Sequence, residues 1–398
     1  MPAPTPRSST VVGLMSGTSL DGVDAACCRV AVPESGDPTE YDLAVEGFVT
    51  VPYPEPLRDR LYDLCTEGSV DDVCRLNAGL SVRFADAAGR AAADAGRGLG
   101  EVDLLASHGQ TIRHLPDPAA PPGVGEAVRS TLQIGDADAL AARTGVPAVG
   151  DFRTADVAVG GQGAPITPAF DLALLSHDDE FRAVQNVGGI GNCTLLPPSP
   201  GRDDVRAFDT GPGNMVVDGV VETVTGGAAA YDEDGETAAR GTVDDGLVAE
   251  CLDGDFFAAA PPKTTGREAF GPAYVREFVA AGRDRGCSDA DLVASATMLT
   301  ARSIADAYER FAARYPDRVV VSGGGTRNPT LMAMLRDELD CPVDPVDDHG
   351  YRSGAKEAAL MALLGQYRVD GVPGNVPSAT GADRPVVLGK RAGVLPGV

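Results

Sequence analysis

The sequence predicts an α/β protein built from two related domains, and three observations carry that reading. Each half of the chain presents three short strand candidates followed by alternating helix and strand. In each half a glycine-bearing turn joins the first two of those strands, at residues 17–22 and 188–191. At 398 residues the chain also exceeds one ordinary core and suits two domains of usual size. Repetition on this scale points to duplicated units facing across a cleft. Residues 1–150 with a C-terminal return at 368–398 are expected to form the first, and 151–367 the second.

Composition narrows the partners. The formal net charge is −25, and Lys263, Lys356 and Lys390 are the only lysines among 33 basic residues. A surface of that sign repels phosphate backbones and anionic lipid, which argues against nucleic-acid and membrane partners. Acidic, lysine-poor surfaces suit a salt-rich cytoplasm, where screening relieves repulsion between carboxylates. A halophilic source is the inference. Activity and melting temperature are therefore expected to rise from dilute buffer to molar KCl, and equal stability in the two would refute it.

The N-terminus has no apolar h-region, and no later segment reaches the ~18 uninterrupted apolar residues of a spanning helix. A soluble, cytoplasmic protein is expected, with a homodimer left open. Eight scattered cysteines show no C-x-x-C pair and no histidine at zinc-site spacing, so they read as reduced core thiols.

Taken in order, residues 11–32 read as strand, tight turn, strand. Gly17 and Gly22 have P-loop spacing, but Val23 and Asp24 occupy the places that need Lys and Ser or Thr, and a strand follows, which excludes a Walker A motif. What remains is a hairpin whose Gly-Thr-Ser turn offers small side chains and N–H groups to phosphate. Residues 41–53 read as a third strand, 56–66 as a short helix, and 70–95 as a long amphipathic helix with Ser69 as N-cap. VDLLASHGQTIRH reads as a strand entering a polar loop. It sets His108, Gln110, Thr111, Arg113 and His114 at a strand's C-terminal end, where α/β sheets bind ligands. Residues 132–152 give strand, helix and strand with Asp136 as cap. Gly160, Gly161 and Gly163, with Gln162 between them, then form a loop too glycine-rich for an ordinary connection, read as either a linker or a hinge that touches ligand.

In the second half, FRAVQNVGG, GNCTLLP and VRAFD are the strand candidates, and the third runs into FDTGPGN. There Asp209 precedes a turn containing Gly211 and Gly213, with Asn214 at the N-cap of the next helix. Such glycines can bring N–H groups close to a ligand, and a helix N-terminus favours an anion. A lone carboxylate beside that turn suits phosphoryl transfer or proton abstraction, although strand-end aspartates more often cap turns. After a long helix near 290–313, VVVSGGGTRNPTLM places Gly323, Gly324 and Gly325 before a helix starting near Asn328, where a base or ribose can lie on the backbone. A last helix is expected near 354–367. No segment offers G-x-G-x-x-G, which argues against a dinucleotide dehydrogenase.

Two hairpin phosphate turns and a strand-GGG-helix element for adenosine resemble the sugar kinase, heat-shock protein 70 and actin superfamily. Within it the chain resembles the anhydro-N-acetylmuramic acid kinase family. The matching segments are GLMSGTSLDGVD (13–24), SHGQTIRH (107–114), LQIGD (132–136), DFR and DVAVGGQGAP (151–165), NVGGIGN (186–192), FDTGPGNM (208–215), PKTTGRE (262–268), SGGGTRNPTLM (322–332) and PGNVPSATGA (373–382).

The resemblance implies two actin-like (ribonuclease H-like) domains flanking a nucleotide and substrate cleft. It implies that ATP, with Mg2+, and water convert 1,6-anhydro-N-acetylmuramic acid to its 6-phosphate, opening the anhydro bridge in the same step. Asp209 is then the base acting on the water that attacks the anomeric carbon while O6 takes the γ-phosphate. ATP falls to Gly17, Thr18, Ser19, Leu20, Asp21, Gly22, Val23 and Asp24, to Gly188 and Gly189, and, under adenosine, to Gly323, Gly324, Gly325 and Asn328. The sequence does not assign the magnesium ligands; Asp21 and Asp24 are the carboxylates at hand in that turn. Thr111, Arg153, Gln162 and Gly163 would face the sugar. Thr154 and Ala155 stand where the family often carries arginines, and Asp171 where it often carries histidine. The alternatives are a kinase of the same superfamily for another anhydro- or amino-sugar and a non-catalytic ATP-binding module.

Overall fold

β1 (Arg7–Ser16) and β2 (Gly22–Val32) form the antiparallel hairpin that opens the computed structural model, which describes residues 7–17 and 19–393. Val11, Val12, Val23 and Cys27 expose no surface, so both faces of the hairpin are covered. β3 (Asp42–Pro52) pairs antiparallel with β2, and α1 (Glu55–Glu67) and α2 (Val70–Asp94) follow. α2 starts where the sequence predicts because Ser69 Oγ accepts from the Asp72 N–H while the Asp72 carboxylate accepts from the Ser69 N–H, a capping box. Its apolar seam, with Leu80, Phe84, Ala88 and Ala91, joins the core under the sheet.

β4 (Leu104–Ala119) lies parallel to β1. The polar loop expected at 107–114 is a correction: those residues continue the strand, paired antiparallel with β5 (Val128–Ile134). Polar side chains do not end a strand when a neighbour satisfies its backbone. α3 (Ala137–Thr144), capped by Asp136, leads to β6 (Ala148–Gly150), parallel to β4, and then to α4 (Thr154–Ala158) and α5 (Pro168–Leu174).

β7 (Arg182–Val187), β8 (Ile190–Leu196) and β9 (Arg206–Pro212) form an antiparallel meander, followed by α6 (Asn214–Val224). Residues 225–288, for which the sequence predicts no helix or strand, hold α7 (Glu236–Arg240), α8 (Asp245–Leu252), α9 (Asp255–Ala258), α10 (Arg267–Phe270) and α11 (Pro272–Asp284). α12 (Asp289–Phe311) starts on a second capping box, Ser288 with Asp291. β10 (Arg318–Ser322) runs parallel to β7; after α13 (Pro329–Glu338), β11 (Val343–Pro345) runs parallel to β10. The chain ends through α14 (Lys356–Asp370), α15 (Pro377–Thr380) and β12 (Lys390–Ala392), which pairs with β6.

One sheet has the order β12-β6-β4-β1-β2-β3 and the other β11-β10-β7-β8-β9. Strands β6-β4-β1-β2-β3 and β11-β10-β7-β8-β9 correspond one to one, antiparallel and parallel pairs included. The duplication is therefore real, with β5 and β12 as additions to the first sheet.

The chain divides into two compact units, Leu175–Gly354 and the remainder. The divisions fall after 174 and before 355, not at 150 and 368. The reason is α14, which packs on β1 and β2. Gly13 permits the approach, since a Cβ there would lie 1.8 Å from Ala358 O. A buried ion pair, Lys356 Nζ to Asp171 Oδ1 at 2.7 Å, ties α5 to the same helix.

All eight cysteines are free thiols, but only Cys27, Cys28, Cys193 and Cys287 are buried and Cys74 is exposed, which corrects the expectation that all are core residues. No helix among the described residues is long and apolar enough to cross a membrane.

Candidate active site

In the second unit the register shifts between Gly191 and Asn192, which pair with Gly211 and Asp209. This leaves Thr210 as the extra residue of a bulge, a device that re-aims neighbouring side chains. The Asp209 N–H donates to Lys263 O (3.1 Å), and its Oδ2 accepts from Thr264 Oγ1 (2.9 Å) and the Thr265 N–H (2.8 Å). Oδ1 has no protein donor among the described residues. Asp209 is thus held by a distant segment and does not cap its own turn. Burial pushes its carboxyl above the ordinary aspartate value, against the hydrogen bonds from Thr265 and Thr264 and the charge of Lys263. A carboxylate with one oxygen fixed, the other open and its basicity raised is suited to accept a proton.

Lys263 anchors that segment. Its ammonium donates to Phe256 O (3.1 Å) and Phe257 O (3.4 Å) and lies 4.6 and 4.5 Å from the ring centroids of Phe256 and Phe311. Nothing local in PKTTGRE marks this role, because the contact of Thr264 with Asp209 spans 55 residues.

The turn after β9 departs from expectation. Asn214 is the first residue of α6, not its cap; Gly213 holds the cap position without a side-chain bond, and Asn214 Nδ2 donates to Val187 O (3.3 Å). The N–H groups of Asn214 and Met215 go to Gly188 O (2.7 Å) and Gly189 O (3.1 Å), and that of Gly213 to Gly189 O (3.0 Å). A Cβ on Gly213 would lie 2.3 Å from Gly188 O, so glycine is what lets the helix dock on the hairpin turn. The first N–H groups of α6 are consequently spent inside the protein and are not offered to an anion.

Gly323, Gly324 and Gly325 stand at the C-terminal ends of the parallel β10 and β7, the place where α/β sheets bind ligands. Gly323 has φ +87, and a Cβ there would lie 2.6 Å from Asn186 Oδ1. Gly324 is exposed, whereas Gly325 is buried against Val187. Asn328 Oδ1 accepts from the Leu331 N–H (2.9 Å) and caps α13, so its side chain is already engaged.

In the first unit, Gln110 braces the turn between β1 and β2. Its Nε2 donates to Gly17 O (3.0 Å) and its Oε1 accepts from Ser16 Oγ (2.6 Å). Ser19 and Asp21 are exposed, and Gly22 leaves no room for a Cβ, which would meet Val51 O at 2.4 Å. Leu20 and Val23 belong to the apolar core, so only their backbone is left for a ligand. Thr18 lies outside the described residues. Asp24 Oδ1 accepts from Thr50 Oγ1 (2.6 Å).

Glu357, at the start of α14, was missed. Its side chain reaches solvent yet is crowded by protein; that desolvation raises its carboxyl above the usual range, Asp24 adds to it, and Lys356 and Arg153 oppose it. An acidic residue in a first helical turn is so ordinary that nothing in the sequence marked it.

Of the residues expected to face the sugar, Arg153 and Gly163 meet directly, through Arg153 Nη1 and Gly163 O (2.7 Å). Thr111 Oγ1 instead accepts from Gln133 Nε2 (3.1 Å). Gln162 is exposed, and its N–H donates to Thr380 O (2.9 Å). The fully buried Asp156 accepts from the Gly163 N–H (2.8 Å), Asn375 Nδ2 (2.7 Å) and Thr380 Oγ1 (2.8 Å). The glycine loop read as a hinge is therefore pinned within the first unit by the segment at 373–382.

Both sheets share one strand order, and that order, with a glycine turn closing the first hairpin of each, marks the sugar kinase, heat-shock protein 70 and actin superfamily. The model of the family described as anhydro-N-acetylmuramic acid kinase matches residues 9–393. The anhydro-N-acetylmuramic acid kinase of Salinibacter ruber is 46% identical over 385 residues, covering 96% of this chain and 95% of that one. That of Caldanaerobacter subterraneus subsp. tengcongensis is 45% identical, with 96% of each chain covered. The chain belongs to the anhydro-N-acetylmuramic acid kinase family. Among solved structures, the activator of a 2-hydroxyisocaproyl-CoA dehydratase from Clostridium difficile aligns at a TM-score of 0.43 and 11% identity over 89% of this chain and 94% of that one, too remote to bear on function.

Proposed function

We propose that the protein uses ATP and water to convert 1,6-anhydro-N-acetylmuramic acid to N-acetylmuramic acid 6-phosphate, with Asp209 as the general base. The water oxygen bonds to the anomeric carbon as its proton passes to Asp209 Oδ1. The bond from that carbon to O6 breaks, O6 takes the γ-phosphoryl group, and ADP leaves. The observation that carries this reading is the Asp209 carboxylate, fixed at Oδ2 by Thr264 and Thr265 with Oδ1 left open, in a chain of this family. The Thr264 and Thr265 bonds orient the acceptor, and in this reading glycine turns supply backbone N–H groups where phosphate charge must be met.

The turns at 17–24 and 188–189 hold phosphate in this reading, the backbone of 323–325 lies under adenosine, and Thr111, Arg153, Gln162 and Gly163 meet the sugar. Asp21 and Asp24 are the carboxylates the first turn offers to magnesium, a hard cation that takes one or two carboxylates and keeps several waters; bound there it would neutralise charge on the transferring phosphoryl group. We place the reaction in the cytoplasm, and the acidic surface supports a salt-adapted protein.

The test is ADP release from purified protein with the anhydro-sugar in isotope-labelled water. Solvent oxygen is expected at the anomeric carbon of a 6-phosphorylated product. Absence of ADP release, or product with unlabelled oxygen at that carbon, would overturn the proposal.

A further inference from the structure

His108, on β4, is almost wholly buried at 2% exposure, and its two ring nitrogens are both engaged. Nδ1 lies 2.9 Å from Gly109 O, a pure acceptor, so Nδ1 carries the proton and Nε2 presents a lone pair. The Arg153 Nε–H donates to that lone pair at 2.8 Å. Gly109 makes this possible: its φ is +75, and a Cβ there would lie 2.8 Å from Ile134 O.

The guanidinium is therefore held at Nε and at Nη1 by two neutral acceptors, His108 Nε2 and Gly163 O. No carboxylate pairs with it within 4 Å among the described residues, although the chain carries 58 acidic residues. Burial lowers its pKa to about 10, which still leaves it cationic at neutral pH. Glu357 and Asp156 act on it through their charges but form no ion pair with it, so the arrangement orients the cation through neutral acceptors. A carboxylate in the place of His108 would hold Arg153 as firmly but would cancel the charge an anionic ligand needs. Protonating His108 would set a second cation against the first, and burial together with Arg153 holds its pKa down at about 3.

We propose that His108 is a positioning residue for substrate selection: it fixes Arg153 so that Nη2, which has no protein partner among the described residues, meets the carboxylate of the sugar's lactyl ether. This rests on the reading of Arg153 as a sugar-facing residue. His108 itself touches no substrate and moves no proton.

The experiment compares two acceptors, 1,6-anhydro-N-acetylmuramic acid and the 1,6-anhydro-N-acetylglucosamine that lacks the lactyl ether. His108→Ala should raise KM for the first by about 10- to 100-fold, the scale of a charge-assisted hydrogen bond. It should leave KM for ATP unchanged, kcat within a few-fold, and the kinetics with the second sugar nearly unaltered. His108→Gln, whose amide oxygen can accept from Arg153 Nε, should recover most of the loss and covers the case in which the alanine variant does not fold. In an Arg153→Ala background, His108→Ala should cost nothing further, because a residue acting through another is not additive with it. Equal losses with both sugars, additivity with Arg153→Ala, or no rescue by glutamine in a folded variant would overturn the proposal. The wild-type rate on the anhydromuramic acid reads the proposed function, and the ratio between the sugars in variant and wild type reads His108, so the two can fail separately.

Discussion

Asp209→Asn is expected to lower kcat by about 10²–10⁴-fold, the usual contribution of a positioned base, while ATP affinity stays within a few-fold. The amide retains the size of the carboxylate, and its oxygen can still accept from Thr264 Oγ1 and the Thr265 N–H. What it lacks is a second oxygen able to take a proton. If Asp209 only organised the strand end, asparagine would serve nearly as well, since it substitutes for aspartate in such roles with little loss. A variant with near wild-type kcat would remove Asp209 from the role of base. The wild-type pH profile gives a second reading. Burial raises the Asp209 pKa, and the base works only when ionised, so the acid limb of kcat should lie above the ordinary aspartate range.

The second large effect is on stability. Lys356 and Asp171 are 5% and 2% exposed, and their charged atoms meet at 2.7 Å. Asp171→Ala or Lys356→Met breaks a buried ion pair from one side and should destabilise the protein by about 3–5 kcal/mol. Replacing both, with leucine at 171 and methionine at 356, should recover most of that stability, because removing a whole buried pair relieves two desolvation penalties together. Chemical denaturation of the three variants against wild type measures it. A single substitution costing less than about 1 kcal/mol, the scale of exposed pairs, would show that water reaches the site.

Asp171 also shows where reading from sequence stops. Along the chain it stood out as a departure from a frequent family histidine; its lysine partner lies on a helix near the other end. Thr264, Thr265 and Glu357 escaped for the same reason, since each acquires its role through residues distant in sequence. Local chemistry was legible. Ser69 with Asp72, Asp136 and Asn328 each announce a helix start through bonds that span three residues. Local chemistry also misled twice. Polarity at 107–114 looked like a loop because the strand that satisfies its backbone lies further along, and Asn214 looked like a cap because Gly213 reaches the hairpin carbonyls first. The duplicated sheets were readable because glycine turns and apolar runs recur in both halves, whereas the division between units depended on where α14 packs, which no local pattern encodes.

The docking of α6 on the turn after β7 has a mechanical consequence. Three successive N–H groups, from Gly213 to Met215, clasp Gly188 and Gly189, and Asp209 lies on the strand that enters this clasp. The end of β9 and the turn after β7 are thereby locked to one another. In the proposed reaction this ties the spacing between base and phosphate turn to the clasp, so drift toward sugars that need a different spacing would require rebuilding the clasp, whereas changing which substituents the ring carries would not.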